Sequence, residues 1–211
     1  MAHRGGVYVP AHFAPEDEAV HQLLVHHGAA DLITATPDGL VATFLPFLYD
    51  RAAGTLRGHL ARNNDHWRRS VLGEAMVLVR GPDSYISPAW YASKAEHGRV
   101  VPTWNYLTAH VYGRLTVHDD PAWVGDLVRR LTEKHEANRA DPWSVDDAPP
   151  AFFNGQLRAI VGVQVTITRV EAKFKLSQNR PAADVDGVIA GLRAAGDERG
   201  AEAVQTHRKP S

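Results

Sequence analysis

Cysteine is absent from the 211 residues of the chain. Disulfides, zinc–thiolate sites, iron–sulfur clusters and cysteine nucleophiles are therefore excluded. No run approaches the ~18 apolar residues that a membrane-spanning helix needs, and residues 1–10 lack the charged-then-apolar pattern of a signal segment. We therefore expect a cytoplasmic protein that does not contact a membrane.

An excess of charge of either sign is also lacking. The chain has 23 basic and 24 acidic side chains, which gives a formal net charge of -1. Such a balance supplies no bulk attraction to nucleic acid, and the sequence contains neither a persuasive helix-turn-helix nor a basic stripe. Direct binding to DNA is therefore weakly supported, although a local basic patch would still allow it.

Several well-known catalytic motifs are missing as well. The sequence has no Walker loop, no GxSxG elbow and no GxGxxG following a strand, and its twelve histidines include no HExxH pair. Most of these histidines read as surface residues. We therefore assign no catalytic residue and no metal site.

The spacing of apolar residues predicts a mainly β fold. Strands are expected over residues 30–36, 40–49, 55–61, 75–79, 101–117 and 160–170. Helices are expected to begin near Pro15, at a short cap formed by Asn63 or Asn64, and at Asp120, with two more over residues 152–157 and 185–192. Hairpin turns separated by inserted helices favour a closed or nearly closed antiparallel barrel with peripheral helices over an alternating βαβ sheet.

We expect a single domain over residues 1–211. A helical insertion should occupy about residues 120–157. Residues 94–99 should form a loop, and Gly81-Pro82 should end a strand. Gly113 should mark a bulge or a close backbone approach, and the polar tail from about residue 196 to 211 should fray.

A strand end that runs into a helix start is the most informative segment. Gly58, His59, Arg62 and Asn64 lie there, and free backbone N–H groups at a helix start attract phosphate. Arg62 adds a guanidinium and Asn64 an amide donor. A plain helix cap beside a surface arginine explains the same residues.

Two further segments combine flat rings with hydrogen-bonding groups. They cover residues 84–91 and 102–106, and a planar heterocycle needs that mixture of stacking area and polar groups. An aromatic core corner is the alternative. Residues 173–180 carry several cations, which either serve an anionic ligand or a flavin edge or belong to a solvated loop.

These segments together resemble the PaiB family of FMN-binding split-barrel regulators. The resemblance is carried, in one order, by Tyr8-Val9-Pro10, Gly58-His59-Leu60-Ala61-Arg62, Tyr85-Ile86-Ser87-Pro88 with Trp90-Tyr91, Val101-Pro102-Thr103-Trp104-Asn105-Tyr106, and Lys175-Leu176-Ser177-Gln178-Asn179-Arg180. It covers the chain from about Tyr8 to Leu192. It implies a split barrel that binds FMN and forms a homodimer with the flavin at the subunit interface.

The resemblance also implies the residues that would contact FMN. The third strand and the following turn would hold the phosphate, the second strand would lie along the ring, and the start of the long strand would reach the ring from the partner. Ser87, Lys175 and Gln178 are carried over by motif alone. The resulting set is Thr43, Phe44, Leu45, Gly58, His59, Arg62, Asn64, Ser87, Trp104, Asn105, Tyr106, Lys175 and Gln178.

One departure from the family pattern bears on function. Where relatives often carry Ser-His-Leu-Pro-Phe, this chain has Thr43-Phe44-Leu45-Pro46-Phe47. Phenylalanine neither transfers a proton nor binds a metal, whereas it can still stack on a flavin. A role for this position in haem contact is therefore disfavoured.

Four functions remain open at this stage. The family implies a flavin-linked negative regulator of transcription. The shared barrel also suits an FMN-dependent oxidoreductase, either like pyridoxamine-phosphate oxidase or a flavin reductase. A haem-binding or haem-degrading protein would use His59, His110 or His207. A dimeric barrel without a cofactor is the fourth, and Arg62 argues against it.

Overall fold

The computed structural model describes residues 6–208, so three residues of the polar tail and the first five of the chain lie outside it. Within that range the strand order β1-β2-β3-β6-β5-β4 closes into a barrel, with antiparallel pairing of β1 with β2 and β4, and of β3 with β2 and β6. The strands are Ala29–Thr36 (β1), Gly39–Asp50 (β2), Thr55–Ala61 (β3), Ala75–Ile86 (β4), Thr103–His118 (β5) and Ile160–Lys175 (β6). The mainly β, antiparallel barrel with helices is confirmed.

The helices lie between and after these strands. They are Asp17–His26 (α1), Ser93–His97 (α2), Pro121–Glu136 (α3), Pro150–Arg158 (α4), Ala182–Ala194 (α5) and Glu198–Thr206 (α6), with 3-10 turns at Ala11–Phe13, Asp65–Arg68, Pro88–Trp90 and Val145–Asp147. In the described part of the chain, every helix falls short of the length and apolar character that crossing a bilayer requires.

Two compact units divide the chain. The central unit comprises residues 24–79 and 110–170, and the terminal unit comprises residues up to Leu23, 80–109 and those from Glu171 onward. The residue ranges of β4, β5 and β6 each contribute to both units. The expectation of a single domain stays a prediction.

The central unit contains the alternating strand core. Phe47 of β2 pairs with Gly58 of β3, which pairs in turn with Val163 of β6. A Cβ at Gly58 would lie 2.7 Å from Leu45 Cδ1 and 2.8 Å from the Pro46 carbonyl oxygen. Glycine is therefore required at this point for the large side chains of β2 to fill the core.

Two local predictions are confirmed in this unit. The Asp120 carboxylate accepts from the N–H groups of Ala122 and Trp123 and so caps α3. A Cβ at Gly113 would lie 2.2 Å from the Thr166 carbonyl oxygen, which establishes the expected close backbone approach.

Two local predictions are wrong. β4 continues through Gly81-Pro82 to Ile86, and residues 93–97 are helical rather than a loop. Pairing of β4 within the barrel and the bonds from Ser93 to the distant Asp184 are contacts that local sequence signals do not report. The predicted cap at Asn64 is confirmed, although the turn that it starts is a 3-10 turn that ends at Arg68.

The expected fraying after Gly196 is also wrong for the described residues, because α6 packs there. Ala201 and Val204 are fully buried in the terminal core with α5. The Asp197 carboxylate accepts from Gly200 N–H and from the Ser84 hydroxyl, at 2.8 and 2.5 Å. Its small residues allow it to pack closely, since a Cβ at Gly200 would lie 2.5 Å from the Ser84 Oγ.

A buried histidine makes the central unit sensitive to acid. His27 is 5% exposed, its Nδ1–H donates to the Leu24 carbonyl at 2.5 Å, and its Nε2 has no partner among the described residues. Burial lowers the pKa of His27 to about 4 from an ordinary value of 6.5. The neutral ring is therefore favoured in the folded state.

We expect this residue to make stability depend on pH. The unfolded chain binds a proton more readily, so the stability is fully present above pH 6.5 and is lost as the pH falls toward 4. Two to three pKa units correspond to about 3 kcal/mol. Denaturant unfolding of His27→Gln should be flatter over this range than that of the wild type. The exposed neighbour His26→Gln should leave the slope unchanged, and a wild-type slope in His27→Gln would refute the assignment.

Candidate functional site

Arg62 lies where β3 ends, and its guanidinium joins three segments of the central unit. Nε donates to the Arg158 carbonyl at 2.7 Å, and Nη1 and Nη2 donate to the two Asp119 carboxylate oxygens at 3.0 and 2.5 Å. Nη2 also reaches the Ile160 carbonyl at 3.1 Å. Hydrogen bonding to Asp119 raises the pKa of Arg62, and the same bonds lower the pKa of Asp119.

The Arg62 side chain therefore has a structural role as well as its predicted one. Its side chain remains 34% exposed, and that of Asp119 52%. A phosphate could reach the guanidinium only in competition with the carboxylate. The assignment of Arg62 to a phosphate stays a prediction. Phosphate binding at Arg62 would have to involve Asp119, whose carboxylate already accepts from it.

A buried hydrogen-bond network lies beside this corner. His66 is 1% exposed, and its Nε2 and Nδ1 each lie 2.8 Å from a hydroxyl, that of Thr34 and that of Thr43 respectively. Burial is the largest cause that lowers the pKa of His66, so the ring is neutral, with one nitrogen donating and the other accepting. Asn64 accepts from His66 N–H at 3.0 Å, and its amide lies 3.4 Å from the Thr43 hydroxyl.

The three residues predicted on β2 point in alternate directions. Phe44 is 67% exposed, whereas Leu45 is 4% exposed and packs in the core. Because successive strand side chains lie on opposite faces, the side chains of Phe44 and Leu45 cannot contact one flat ring together. A ligand on the face of Phe44 would meet only the backbone of Leu45.

His59 lines a cavity of about 270 Å³ in the central unit. Pro46, Leu131, His135 and Trp143 also line it. The buried Nδ1 of His59 has no hydrogen-bond partner among the described residues, and burial lowers the pKa of the ring. The position suits a neutral imidazole beside a ligand or an ordered water.

In the terminal unit, the three predicted residues at the start of β5 contact different partners. Trp104 is half exposed and donates to Asp83 at 2.7 Å, with Tyr85 in edge contact. Asn105 is buried and donates to the Ser177 hydroxyl at 3.0 Å. Tyr106 lies 5.9 Å from the ammonium of Lys173, measured to its ring centroid.

Residues 175–180 form a tight turn after β6. The Gln178 amide donates to the Phe174 carbonyl and accepts from Leu176 N–H, at 2.6 and 2.7 Å. Ser177 has a φ of 67°, a left-handed conformation that costs a non-glycine residue ~1–2 kcal/mol. Both polar ends of Gln178 are thus used within the turn, while Ser177 is held by Asn105.

Lys175 and Ser87 complete the predicted set. The Lys175 ammonium donates to the Thr103 hydroxyl and to the Trp104 carbonyl, and burial lowers its pKa. Ser87 accepts from Ala89 N–H and so caps a 3-10 turn.

The structure thus brings together Thr43, Asn64 and Arg62 in the central unit, and Asn105 with Lys175 in the terminal unit. Sequence reasoning missed His66, Thr34 and Asp119. His66 follows the Asn64 cap by two residues, which is a usable local signal. The partnership of Arg62 with Asp119 spans 57 residues and has no local signal.

Comparison with known proteins agrees with this geometry. Residues 7–169 match the family model described as "Putative FMN-binding domain". Over 191 residues the chain is 29% identical to the protease synthase and sporulation protein PAI 2 of Bacillus subtilis, and the match covers 89% of each chain.

Solved structures share the fold. A conserved hypothetical protein from Mycobacterium tuberculosis superposes with a TM-score of 0.58 at 12% identity, covering 83% of this chain and 94% of that one. An FAD- and haem-binding protein from Mycobacterium smegmatis gives 0.56 at 18% identity, covering 84% and 79%. These likenesses confirm the split-barrel fold. The family match covers most of the chain, and both the predicted family and the predicted cofactor are confirmed: the chain belongs to the PaiB-type family of FMN-binding domains, and FMN is its cofactor.

Proposed function

We propose that the protein is a cytoplasmic, homodimeric FMN-binding regulator whose flavin lies at the subunit contact. The observation that carries the proposal is the apolar surface of β2, where Leu40 is 79% and Phe44 67% exposed. Leu40 and Phe44 lie on one face of β2, opposite to that of Thr43, and exposed large apolar side chains on one face of a strand suit an interaction surface. The regulatory part of the proposal rests on the resemblance to the PaiB family of regulators and on the match to its Bacillus relative.

The donor set of the β3 corner fits the phosphate of FMN in kind. It offers the partly exposed guanidinium of Arg62, the amide of Asn64 and the unpartnered Nδ1 of His59. The Arg62 guanidinium is a charge-assisted donor of the kind that suits a phosphate monoester, and Asn64 and the neutral His59 offer uncharged polar groups beside it. When bound, FMN supplies the redox chemistry, and the chain supplies binding, orientation and the surrounding charge.

Cavity size supports a second subunit. The cavity beside His59 has a volume of about 270 Å³, and the one beside Lys175 about 170 Å³. Both fall below the ~300–1,000 Å³ of ordinary small-molecule sites. A flavin held at either of these two cavities by one subunit alone would therefore remain partly uncovered, whereas a partner packed on Phe44 would add cover.

Direct DNA recognition finds little support. α5 and α6 are joined by Ala195-Gly196-Asp197, which gives them the connectivity of a helix-turn-helix. The exposed side chains of α6 include Glu198, Arg199 and Glu202, so the helix presents more negative than positive charge. Phosphates would be repelled, and we infer that regulation acts through a partner or a metabolite. Tight duplex binding that persists at about 0.2 M salt would contradict this inference.

An FMN-dependent oxidoreductase is the second candidate. The Trp90 ring packs on α5, since a Cβ at Gly191 would lie 2.3 Å from its Cδ2. Trp104 is tied to Asp83 and is half exposed. These contacts hold each indole against other parts of the protein. Neither indole is therefore needed as a cover over a bound flavin, and this favours access of a substrate to the flavin ring.

Reduction of bound flavin separates the two candidates. For a regulator we expect anaerobic NADH or NADPH to reduce the flavin more slowly than about 1 s⁻¹, the low end of ordinary turnover. Absorbance in the flavin region gives the rate, and a Soret band after haem addition would reveal haem binding in the same spectrum. Fast, saturable reduction would support the oxidoreductase and contradict the regulator.

Two variants of the β3 corner test the phosphate assignment. Both Arg62→Ala and Asp119→Asn break the ion pair, but only the first removes the guanidinium. We expect Arg62→Ala to weaken FMN binding at least tenfold, since a charged hydrogen bond contributes ~1.5–3 kcal/mol. Asp119→Asn should strengthen it, because the competing carboxylate is gone. Flavin fluorescence quenching gives both affinities. A loss of affinity in both variants would show that the ion pair acts only through the fold.

The dimer prediction rests on Phe44. Replacing it with glutamate places a charge on the proposed contact, so Phe44→Glu should be monomeric and should bind FMN at least tenfold more weakly. Light scattering after size exclusion gives the mass. Phe152→Glu, on α4 and 59% exposed in the native chain, is the matched control and should remain dimeric. A dimeric, FMN-binding Phe44→Glu would overturn the proposed interface.

A further inference from the structure

A small cavity in the terminal unit carries cations and lacks a lining carboxylate. It has a volume of about 170 Å³ and is lined by Phe13, Tyr91, Val101, Asn105, Lys175 and Arg180, among others. No aspartate or glutamate belongs to the described lining residues. The cavity therefore offers positive charge to whatever enters it.

The two cations have no carboxylate partner among the described residues. Lys175 donates to the Thr103 hydroxyl and to a backbone carbonyl, which leaves part of its ammonium unpaired. The Arg180 guanidinium lies 4.5 Å from the centroid of the Tyr91 ring. The nearby carboxylate of Asp184 is 1% exposed and accepts from Ser93 N–H and the Ser93 hydroxyl at 2.9 and 2.8 Å. Its bonds to Ser93 keep it out of the cavity.

Tyr91 provides a second, independent observation. Its buried hydroxyl has no acceptor among the described residues, since the nearby Arg180 guanidinium can only donate to it. A buried phenol without an acceptor is costly, and such groups are normally satisfied by a ligand or water. An oxyanion would accept from Tyr91 and from both cations at once.

The turn that forms this cavity holds its residues in place. Ser177 keeps its left-handed conformation through the buried Asn105, and Gln178 ties the turn to Phe174. Backbone strain that the surroundings maintain is found most often at functional sites. The turn fixes Lys175 and Arg180 at the cavity, where the Lys175 ammonium lies 6.0 Å from the centroid of the Phe13 ring.

We propose that this cavity binds a small organic carboxylate at a site separate from that of FMN, which reassigns Asn105 and Lys175 from the predicted flavin contacts to this ligand. The planar fork of Arg180 matches a carboxylate, and the apolar wall suits a compact hydrocarbon body. The volume is close to the ~150 Å³ of an apolar cavity that binds benzene and below the ~300–1,000 Å³ of ordinary small-molecule sites, so it suits a compact ligand rather than a nucleotide. The proposal does not depend on FMN binding.

Calorimetric titration of the full chain with benzoate tests the proposal, with benzamide as the uncharged isostere. Benzoate should bind and benzamide should not. Arg180→Gln should weaken benzoate binding at least tenfold because it removes the charged fork, and Tyr91→Phe about threefold to tenfold because it removes one hydroxyl donor. Arg193→Gln, a half-exposed arginine paired with Glu198, is the control and should bind as the wild type does. Equal binding of benzoate and benzamide, or unchanged affinity in Arg180→Gln, would overturn the proposal.

A competition arm separates this site from that of the flavin. Benzoate should bind equally well to FMN-free and FMN-saturated protein. If FMN or inorganic phosphate displaces benzoate stoichiometrically, the cavity is a phosphate subsite and the separate carboxylate site is refuted, while FMN binding stands. If benzoate binds and FMN does not, the present proposal is supported and the flavin-based function fails.

Discussion

The guanidinium of Arg62 is the interaction on which the central unit depends. Its bonds to Asp119, to the Arg158 carbonyl and to the Ile160 carbonyl fix the end of β3 against the segment before α3 and the start of β6. Four hydrogen bonds from one planar group define its position far better than a flexible lysine would. The turn that follows, with Asn64 and His66, therefore starts from a fixed point. The hydrogen bond between the Thr43 hydroxyl and the His66 ring then fixes the position of that hydroxyl as well.

This arrangement explains how one corner can serve both fold and cofactor. A ligand phosphate gains most from donors that are already oriented, because little conformational entropy is then lost on binding. Asp119 keeps Arg62 extended and oriented. The same carboxylate competes with any anion, so affinity for FMN reflects a balance between ordering and competition. Exposed ion pairs of this type contribute little net stability, so replacing the Asp119 carboxylate by a phosphate at Arg62 costs the fold little.

Sequence reasoning succeeded where the determining interaction was local. The cap at Asp120 involves N–H groups two and three residues away, and the alternation of Val161, Val163 and Val165 directly reflects strand geometry. It failed where partners lie far apart in sequence. α6 packs because Ala201 and Val204 meet α5, and its cap Asp197 is bound by Ser84, 113 residues earlier. The family motifs identified the cofactor, but they could not reveal that Gln178 is consumed within its own turn or that Arg62 is already paired.

The net charge of the chain argues against attraction of anions, whereas the local charge around Lys175 favours it. The local charge governs which ligand can bind there. A chain of net charge -1 attracts no polyanion at a distance. Lys173, Lys175 and Arg180 nevertheless lie within eight residues, and the mutual repulsion of Lys175 with its two neighbours adds to burial in lowering its pKa. Three cations are too few for a nucleic acid, whose specific complexes commonly neutralise ~6–10 phosphates. They are sufficient for one small oxyanion, because a bound carboxylate relieves the repulsion among them and satisfies the buried hydroxyl of Tyr91 in the same step.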